Sequence, residues 1–392
     1  MKKTVLILSA MLMGSGLSWG LGKDNLITLN NTLRLAWNDN YYQATSNKTS
    51  TGMITEQPEI MINLNRENTF LGLRYRPSFV WFTESSVSRR QTVQHELDAS
   101  LSHTFSPRFS VSVVETFRRG VQPELQDRNN ALILPDQSYM ENTVNGTLGI
   151  QLRQSTRLDA SGRFYIMRYD NEAVSTNTDY NIASAGLTLR QEVSKATTIS
   201  GSLNYDNTSY RQLSARSANT FSIGGGVDHT FGPRLLGSLS GGYQLKSFEL
   251  ASISGQNSPY GNFSLTYLFN PRLRFTAGAS YSLWEADIQP YASQERLSSY
   301  ASLGYDLSTR VAVYLSGGIT RGKYLSEQTY TPSGDSTAQG GNDTIYQGSL
   351  RASYMIDRHN FLEATYQYTK AASDVRADFA ANLFDLGWRL SF

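Results

Sequence analysis

Phe384-Asp385-Leu386-Gly387-Trp388-Arg389-Leu390-Ser391-Phe392 is the stretch whose reading decides the fold. Phe384, Leu386, Trp388, Leu390 and Phe392 take one set of alternate positions, and Asp385, Gly387, Arg389 and Ser391 take the other. Successive side chains of a β-strand point to opposite faces, so this stretch has a greasy face and a wet one. The same division recurs upstream. Leu273, Phe275, Ala277, Ala279, Tyr281 and Leu283 alternate with Arg274, Thr276, Gly278, Ser280 and Ser282. Val144, Leu148, Ile150 and Leu152 oppose Asn145, Thr147, Gln151 and Arg153, and residues 235–245 and 362–368 repeat the pattern. No stretch shows a comparable helical period, so the chain is expected to be all-β.

Short turns punctuate these strands. Their cores are Arg66-Glu67-Asn68, Ser106-Pro107-Arg108, Ser155-Thr156-Arg157, Ser194-Lys195-Ala196, Gly232-Pro233-Arg234, Asn270-Pro271-Arg272, Ser308-Thr309-Arg310 and Asp357-Arg358-His359. Pro fixes φ, and Asn, Asp and Ser bond their own backbone, which is why such residues stand at turns. The middle residues are spaced by 40, 49, 39, 38, 38, 38 and 49, the period of one hairpin plus the longer connection at its far end. Longer polar segments, such as residues 41–55, 121–137 and 329–343, lie at the opposite strand ends. Eight turns alternating with nine loops imply eighteen strands, the first over residues 27–38; sixteen remains open.

The first 20 residues read as a secretory leader: Lys2 and Lys3 are charged, residues 5–12 are apolar, and Ser18 and Gly20 are small. Export through the Sec route and cleavage near residue 20 are expected, leaving residues 21–392 as one domain. No later apolar run is long enough for a transmembrane helix. A chain of this kind crosses a membrane as a closed antiparallel up-and-down barrel, because only closure pairs every backbone N–H and C=O inside hydrocarbon. Short turns on one side and long loops on the other put the turns in the periplasm and the loops outside the cell. The chain is rich in Tyr (23) and Gly (31), has a formal net charge of +2, and has a mean hydropathy of -0.38. That charge, with no Lys/Arg stripe, gives no reason to expect nucleic acid as a partner. The absence of Cys excludes disulfides, thiolate metal sites and a lipid-modified N-terminus.

Residues 384–392 resemble the C-terminal β-signal read by the outer-membrane assembly machinery: a polar residue, Gly two later, then apolar residues three and five further on. Asp385, Gly387, Leu390 and Phe392 match those positions. In layout the chain resembles the outer-membrane β-barrel porins often found near exopolysaccharide genes, over nearly the whole mature length and without a diagnostic internal motif. The resemblance implies a Gram-negative outer membrane, lipid as surroundings, periplasmic chaperones and the assembly machinery as partners, and a passive channel for small polar solutes, saccharides among them. An exopolysaccharide export barrel and a non-conducting surface-binding or scaffold barrel are the alternatives. The oligomeric state is not read from the sequence.

Phase assigns the wet face to the barrel interior. Arg34, Arg74, Arg76, Glu96, Asp98, Arg118, Arg153, Asp159, Arg163, Arg190, Asp228, Arg274, Arg351, Glu363 and Arg389 are the inward candidates, with Arg74 and Arg76 expected to pair across strands with Glu96 and Asp98. Tyr165, Trp284 and Tyr314 are wet-face aromatics that could stack on sugar rings. The third loop, residues 121–137, carries Glu124, Asp127, Arg128 and Asp136; by resemblance to general porins it folds inward and narrows the pore. Aromatic girdles are expected at Phe105, Phe109, Phe231, Phe269, Phe275, Phe361 and Phe392 on the turn side. On the loop side they are expected at Trp37, Trp81, Tyr169, Tyr210, Phe248 and Tyr368. Glu115 breaks the pattern: alternation from Phe109 points it at lipid, and a bulge at Val113-Val114 is expected to reset the phase.

No catalytic constellation assembles. The four His, at 95, 103, 229 and 359, stand apart, with no partner at metal or triad spacing, so no enzyme activity and no cofactor are expected. Gly224-Gly225-Gly226 lies within a strand and opens no helix, which removes it as a phosphate loop.

Overall fold

The computed structural model describes residues 26–84, 87, 90–121, 137–326, 329 and 339–392. Eighteen strands follow one another. The first six are β1 (Ile27–Asn38), β2 (Thr51–Asn65), β3 (Thr69–Phe82), β4 (Gln91–Ser106), β5 (Phe109–Gly120) and β6 (Tyr139–Arg153). Next come β7 (Thr156–Tyr169), β8 (Tyr180–Ser194), β9 (Thr197–Tyr210), β10 (Ala218–Gly232), β11 (Leu235–Phe248) and β12 (Gln256–Asn270). The last are β13 (Leu273–Glu285), β14 (Ser293–Asp306), β15 (Val311–Tyr324), β16 (Gly341–Met355), β17 (Asn360–Ser373) and β18 (Phe379–Ser391). Each strand pairs antiparallel with its neighbours in sequence, and β1 pairs with β18 from Asn30↔Ser391 to Asn38↔Leu383. The sheet therefore has no free edge, and every strand has a hydrogen-bonded partner strand on both sides.

The turns owe their shape to local bonding. Asn270 accepts the backbone N–H groups of Arg272 at 2.8 Å and Leu273 at 2.9 Å, and Asp357 accepts those of His359 at 2.8 Å and Asn360 at 2.9 Å. A register shift immediately before the turn recurs at Thr104/Ser106, Gln151/Arg153, Glu192/Ser194, Thr230/Gly232 and Leu268/Asn270. The bulge sharpens strand twist where the chain reverses.

The outer face is apolar and open, with Leu386 and Leu315 among its exposed residues, whereas the inner face is polar. Such an inside-out surface fits hydrocarbon outside and water within. Glu115 corrects the sequence reading. β5 pairs without interruption with β4 from His95↔Arg119 to Thr104↔Ser110, and with β6 along its whole length. No bulge falls at Val113-Val114, so Glu115 stays on the outer face with Val111, Val113 and Phe117, accepting a 3.1 Å hydrogen bond from the Asn142 amide. The bulge of this hairpin sits at its turn, too early to change the phase.

The girdles need correcting as well. Phase and burial turn Tyr169, Tyr210 and Phe361 inward, and Phe248 shares the inner face with Lys246. Two loop bounds move too: β2 claims residues 51–55 and β16 claims residues 341–343. The sequence could not show that chain near the loop ends folds back over the wall. Arg216 lies buried in the 211–217 connection with its guanidinium 4.4 Å over the Tyr210 ring and donating to the Ala286 carbonyl. Arg376 pairs with Asp343 and stands 3.7 Å from Asp287, which accepts the Tyr324 hydroxyl. At the start of β8, burial pushes the Asp179 carboxyl above the ordinary Asp range, while the Tyr169 N–H, Arg168 and Arg211 oppose that rise.

Candidate functional site

The barrel's inner wall divides into two arcs. The first runs from β16 through β18 and β1 to β8 and is charged. Arg34 on β1 donates to Asp385 of β18 at 2.6 Å, to Glu363 of β17 at 3.0 Å and to Gln57 of β2 at 3.2 Å. Arg389 stands 3.5 Å from Glu363. Arg74 pairs in register with Asp98, as Arg76 does with Glu96, because β3 and β4 place those residues opposite each other. Glu96 gathers three guanidinium groups: Arg76 at 2.5 Å, Arg74 at 2.9 Å and Arg118 at 3.0 Å. Farther round, Asp159 accepts from Arg157 at 2.7 Å and from Arg190 at 2.8 Å. Each acid meets at least one Arg of a neighbouring strand or its own, so the arc is laced across strands and nearly self-neutralising.

The second arc, β9 to β15, is built from small neutral residues. At the strand centres the inward positions carry Ser, Thr, Asn, Gly and Tyr, such as Ser202, Ser222, Ser240, Asn262, Ser280 and Ser302. Charges on this arc stand toward the strand ends. Lys246, at a loop end, is buried and bonded to Glu285 at 2.5 Å. Arg274 lies beside a turn, on the inner face; Arg153 belongs to the charged arc, at the turn end of β6, where a register shift pairs it with Thr156.

Other predicted residues land as follows. Arg163 and Arg351 are on the inner face, Arg163 lying 5.3 Å over the Tyr165 ring and Arg351 opposite Tyr314. Tyr165, read from sequence as a sugar-stacking candidate, is 1% exposed inside a cluster with Tyr139, Met167 and Tyr169, and cannot meet a solute. Trp284 carries the Arg296 guanidinium 5.1 Å over its ring. Tyr314 is inward and half-buried. Tyr260 and Tyr300, which sequence reasoning passed over, also face inward. Their phase was available from alternation: each sits between serines or asparagines two residues away. Glu124, Asp127, Arg128 and Asp136 lie outside the described residues. Asp385 and Gly387 stand on the inner face of β18, where a Cβ added to Gly387 would make ordinary contact with the Arg34 side chain, while Leu390 shares the outer face with Trp388. Phe392 follows β18 and is 65% exposed; its backbone exchanges hydrogen bonds with Leu29 at 2.8 and 3.2 Å.

The sequence profile described as "Putative beta-barrel porin 2" matches residues 27–392, which is the whole barrel. The chain belongs to that family. It is an outer-membrane β-barrel of a Gram-negative bacterium. Among solved structures it is similar to OccK2 (OpdF) of Pseudomonas aeruginosa, at 8% identity and a TM-score of 0.51, over 93% of this chain and 98% of that one. The outer-membrane protein OpdK of the same organism is 10% identical with a TM-score of 0.49, over 93% and 99%. The FrpB iron transporter of Neisseria meningitidis is 10% identical with a TM-score of 0.49, and the match covers 90% of this chain but 63% of the transporter. These likenesses concern the fold. No curated protein sequence matches the chain.

Proposed function

We propose that this barrel is a passive channel through which small polar solutes, saccharides among them, cross the outer membrane. The observation that carries the reading is the wet inner wall closed by eighteen strands, whose charges are mutually paired on one arc and largely absent from the centre of the other. A barrel of this strand number leaves an aqueous lumen unless something plugs it. A wall without strong net charge favours solutes that need water-like bonding partners over ions of one sign. Within this reading, residues 1–20 serve as a cleaved leader and residues 21–392 form the single domain. Asp385, Gly387, Leu390 and Phe392 present the signal to the assembly machinery after periplasmic chaperones deliver the chain. Glu124, Asp127, Arg128 and Asp136 narrow the lumen from the third loop. The decisive experiment is reconstitution of purified protein into planar lipid bilayers. Stable, stepwise conductance that persists without ligand is the expected result; protein that inserts but gives only closed barrels overturns the reading.

A further inference from the structure

Three tyrosines on the neutral arc lie flat against the wall, each over a glycine. Tyr260 of β12 spans two strands. A Cβ on Gly242 would stand 2.7 Å from Tyr260 Cε1, and one on Gly224 would stand 2.8 Å from its Cζ. Tyr300 of β14 covers Gly278, where a Cβ would meet Cε1 at 2.6 Å, and Tyr314 of β15 covers Gly304, with Cδ2 at 3.4 Å. For Tyr260 and Tyr300 only the missing Cβ lets the ring approach the backbone this closely, whereas a Cβ on Gly304 would make ordinary contact with Tyr314. One face of each ring is therefore spent on the wall, and the opposite face is turned to the lumen. Tyr300, with 51% of its surface exposed, is the most open of the three.

Their order matters as much as their posture. Tyr260 stands ten residues above the turn end of β12 at Asn270, Tyr300 six above Asp306, and Tyr314 three above Val311, so the row descends from the loop side to the turn side. The registers Tyr300↔Gly278↔Ser264 put Tyr300 four residues below Tyr260, and Tyr314↔Gly304 puts Tyr314 four below Tyr300. With roughly 3.4 Å per residue and 4.8 Å per strand, successive rings are about 15 Å apart. Ser264, Ser280, Ser298 and Ser302 line the wall between them.

We infer that Tyr260, Tyr300 and Tyr314 form a descending track on which neutral saccharide chains are held as they pass. A pyranose ring has a C–H face that suits the electron-rich face of an aromatic ring, and a hydroxyl edge that suits serine. The track supplies both in alternation, and its spacing lets an oligosaccharide of several units leave one ring while touching the next. Paired ions on the other arc offer no such flat apolar surface.

This inference rests on the open channel proposed above, and the test separates the two. The full-length protein is reconstituted in planar bilayers, and current block is read on adding maltohexaose, with poly(ethylene glycol) of equal mass as a polymer lacking a pyranose face. Block by maltohexaose but not by the glycol is expected. Tyr300→Leu lowers the sugar binding constant by about three- to tenfold, the range of one aromatic contact, while Tyr300→Phe keeps it within about twofold. Each variant's own open current is the reference, and heat-dependent gel mobility checks its fold; Tyr314→Leu serves if Tyr300→Leu does not assemble. Open channels that ignore the sugar, or a block indifferent to the loss of the ring, overturn the track and leave the channel reading intact. Barrels that never open sink both.

Discussion

The two arcs of the inner wall answer the same requirement, a wet interior, by different chemistry. The charged arc joins neighbouring strands a second time through side chains: Arg34 alone bonds residues of β2, β17 and β18. The neutral arc relies on the backbone ladder and keeps its side chains small enough for tyrosines to lie on it. Exposed ion pairs contribute little each, about 0–1 kcal/mol, but pairing removes the field that a row of bare arginines would set up. Both arcs are thus close to neutral toward a passing ion. They differ in what they offer a neutral molecule, fixed dipoles on one side and hydroxyls with flat rings on the other.

Removing the hub of the charged arc gives the largest expected effect. Glu96→Ala leaves Arg74, Arg76 and Arg118 facing one another without their shared acceptor. A loss of about 1–3 kcal/mol is expected, because half-buried guanidinium groups lose a charged partner, and it should appear as a lower temperature for the heat-dependent shift in gel mobility. The reversal potential in a salt gradient should move toward anion preference. An unchanged melting temperature would show that the ion lattice is ornamental and that the two arcs are mechanically equivalent.

Next in size is a methyl group on the neutral arc. In Gly242→Ala the new Cβ collides with the Ile223 carbonyl, which is backbone and cannot step aside, and also meets Tyr260. Overpacking of this kind costs about 1–3 kcal/mol. Gly146→Ala, on the outer face with nothing within 4 Å, should be neutral or stabilising by up to about 1 kcal/mol. Equal melting temperatures for the two variants would mean that the glycine bed under the tyrosines is not needed.

The charged arc was far more legible in the sequence than the neutral one, and the reason is physical. Period-two alternation and turn residues such as Asn270 and Asp357 are local, so strand number, hairpin positions and the phase of Arg74, Glu96 or Arg389 follow from neighbours along the chain. Opposite charges at matching distances from one loop also announce their pairing, as Arg74 and Arg76 did with Glu96 and Asp98. Glycine and serine carry no such signal. That Gly242 and Gly224 make room for Tyr260 depends on registers between three strands, which alternation within one strand does not fix. The burial of Tyr165 and the inward fold of Arg216 depend on loops meeting over the wall. Glu115 was misplaced because a bulge was put in mid-strand, whereas in this barrel bulges gather at the turns.

The third loop offers a smaller effect, on permeation and not on stability. Replacing Glu124, Asp127 and Asp136 by their amides should reduce cation preference and raise conductance if the loop reaches the lumen. Unaltered values would return these acids to the outer surface.

The finest test transplants the chemistry of one arc to the other. Ser280 faces inward at the centre of the neutral arc, opposite Asn262 and Ser298, which carry no charge. Ser280→Asp places a carboxylate there with no arginine across the strand to cancel it. Because the group remains hydrated, stability should change by no more than about 0.5 kcal/mol. Its field is not cancelled by a neighbour, so the reversal potential should shift by a few millivolts toward cations at low salt and less at high salt, where screening shortens its reach to about 3 Å at 1 M. Ser280→Asp thus separates selectivity from stability, which Glu96→Ala changes together. If Ser280→Asp left the potential alone while destabilising the barrel, the centre of the neutral arc would be packed and dry, and a wall that is dry there could hold no sugar.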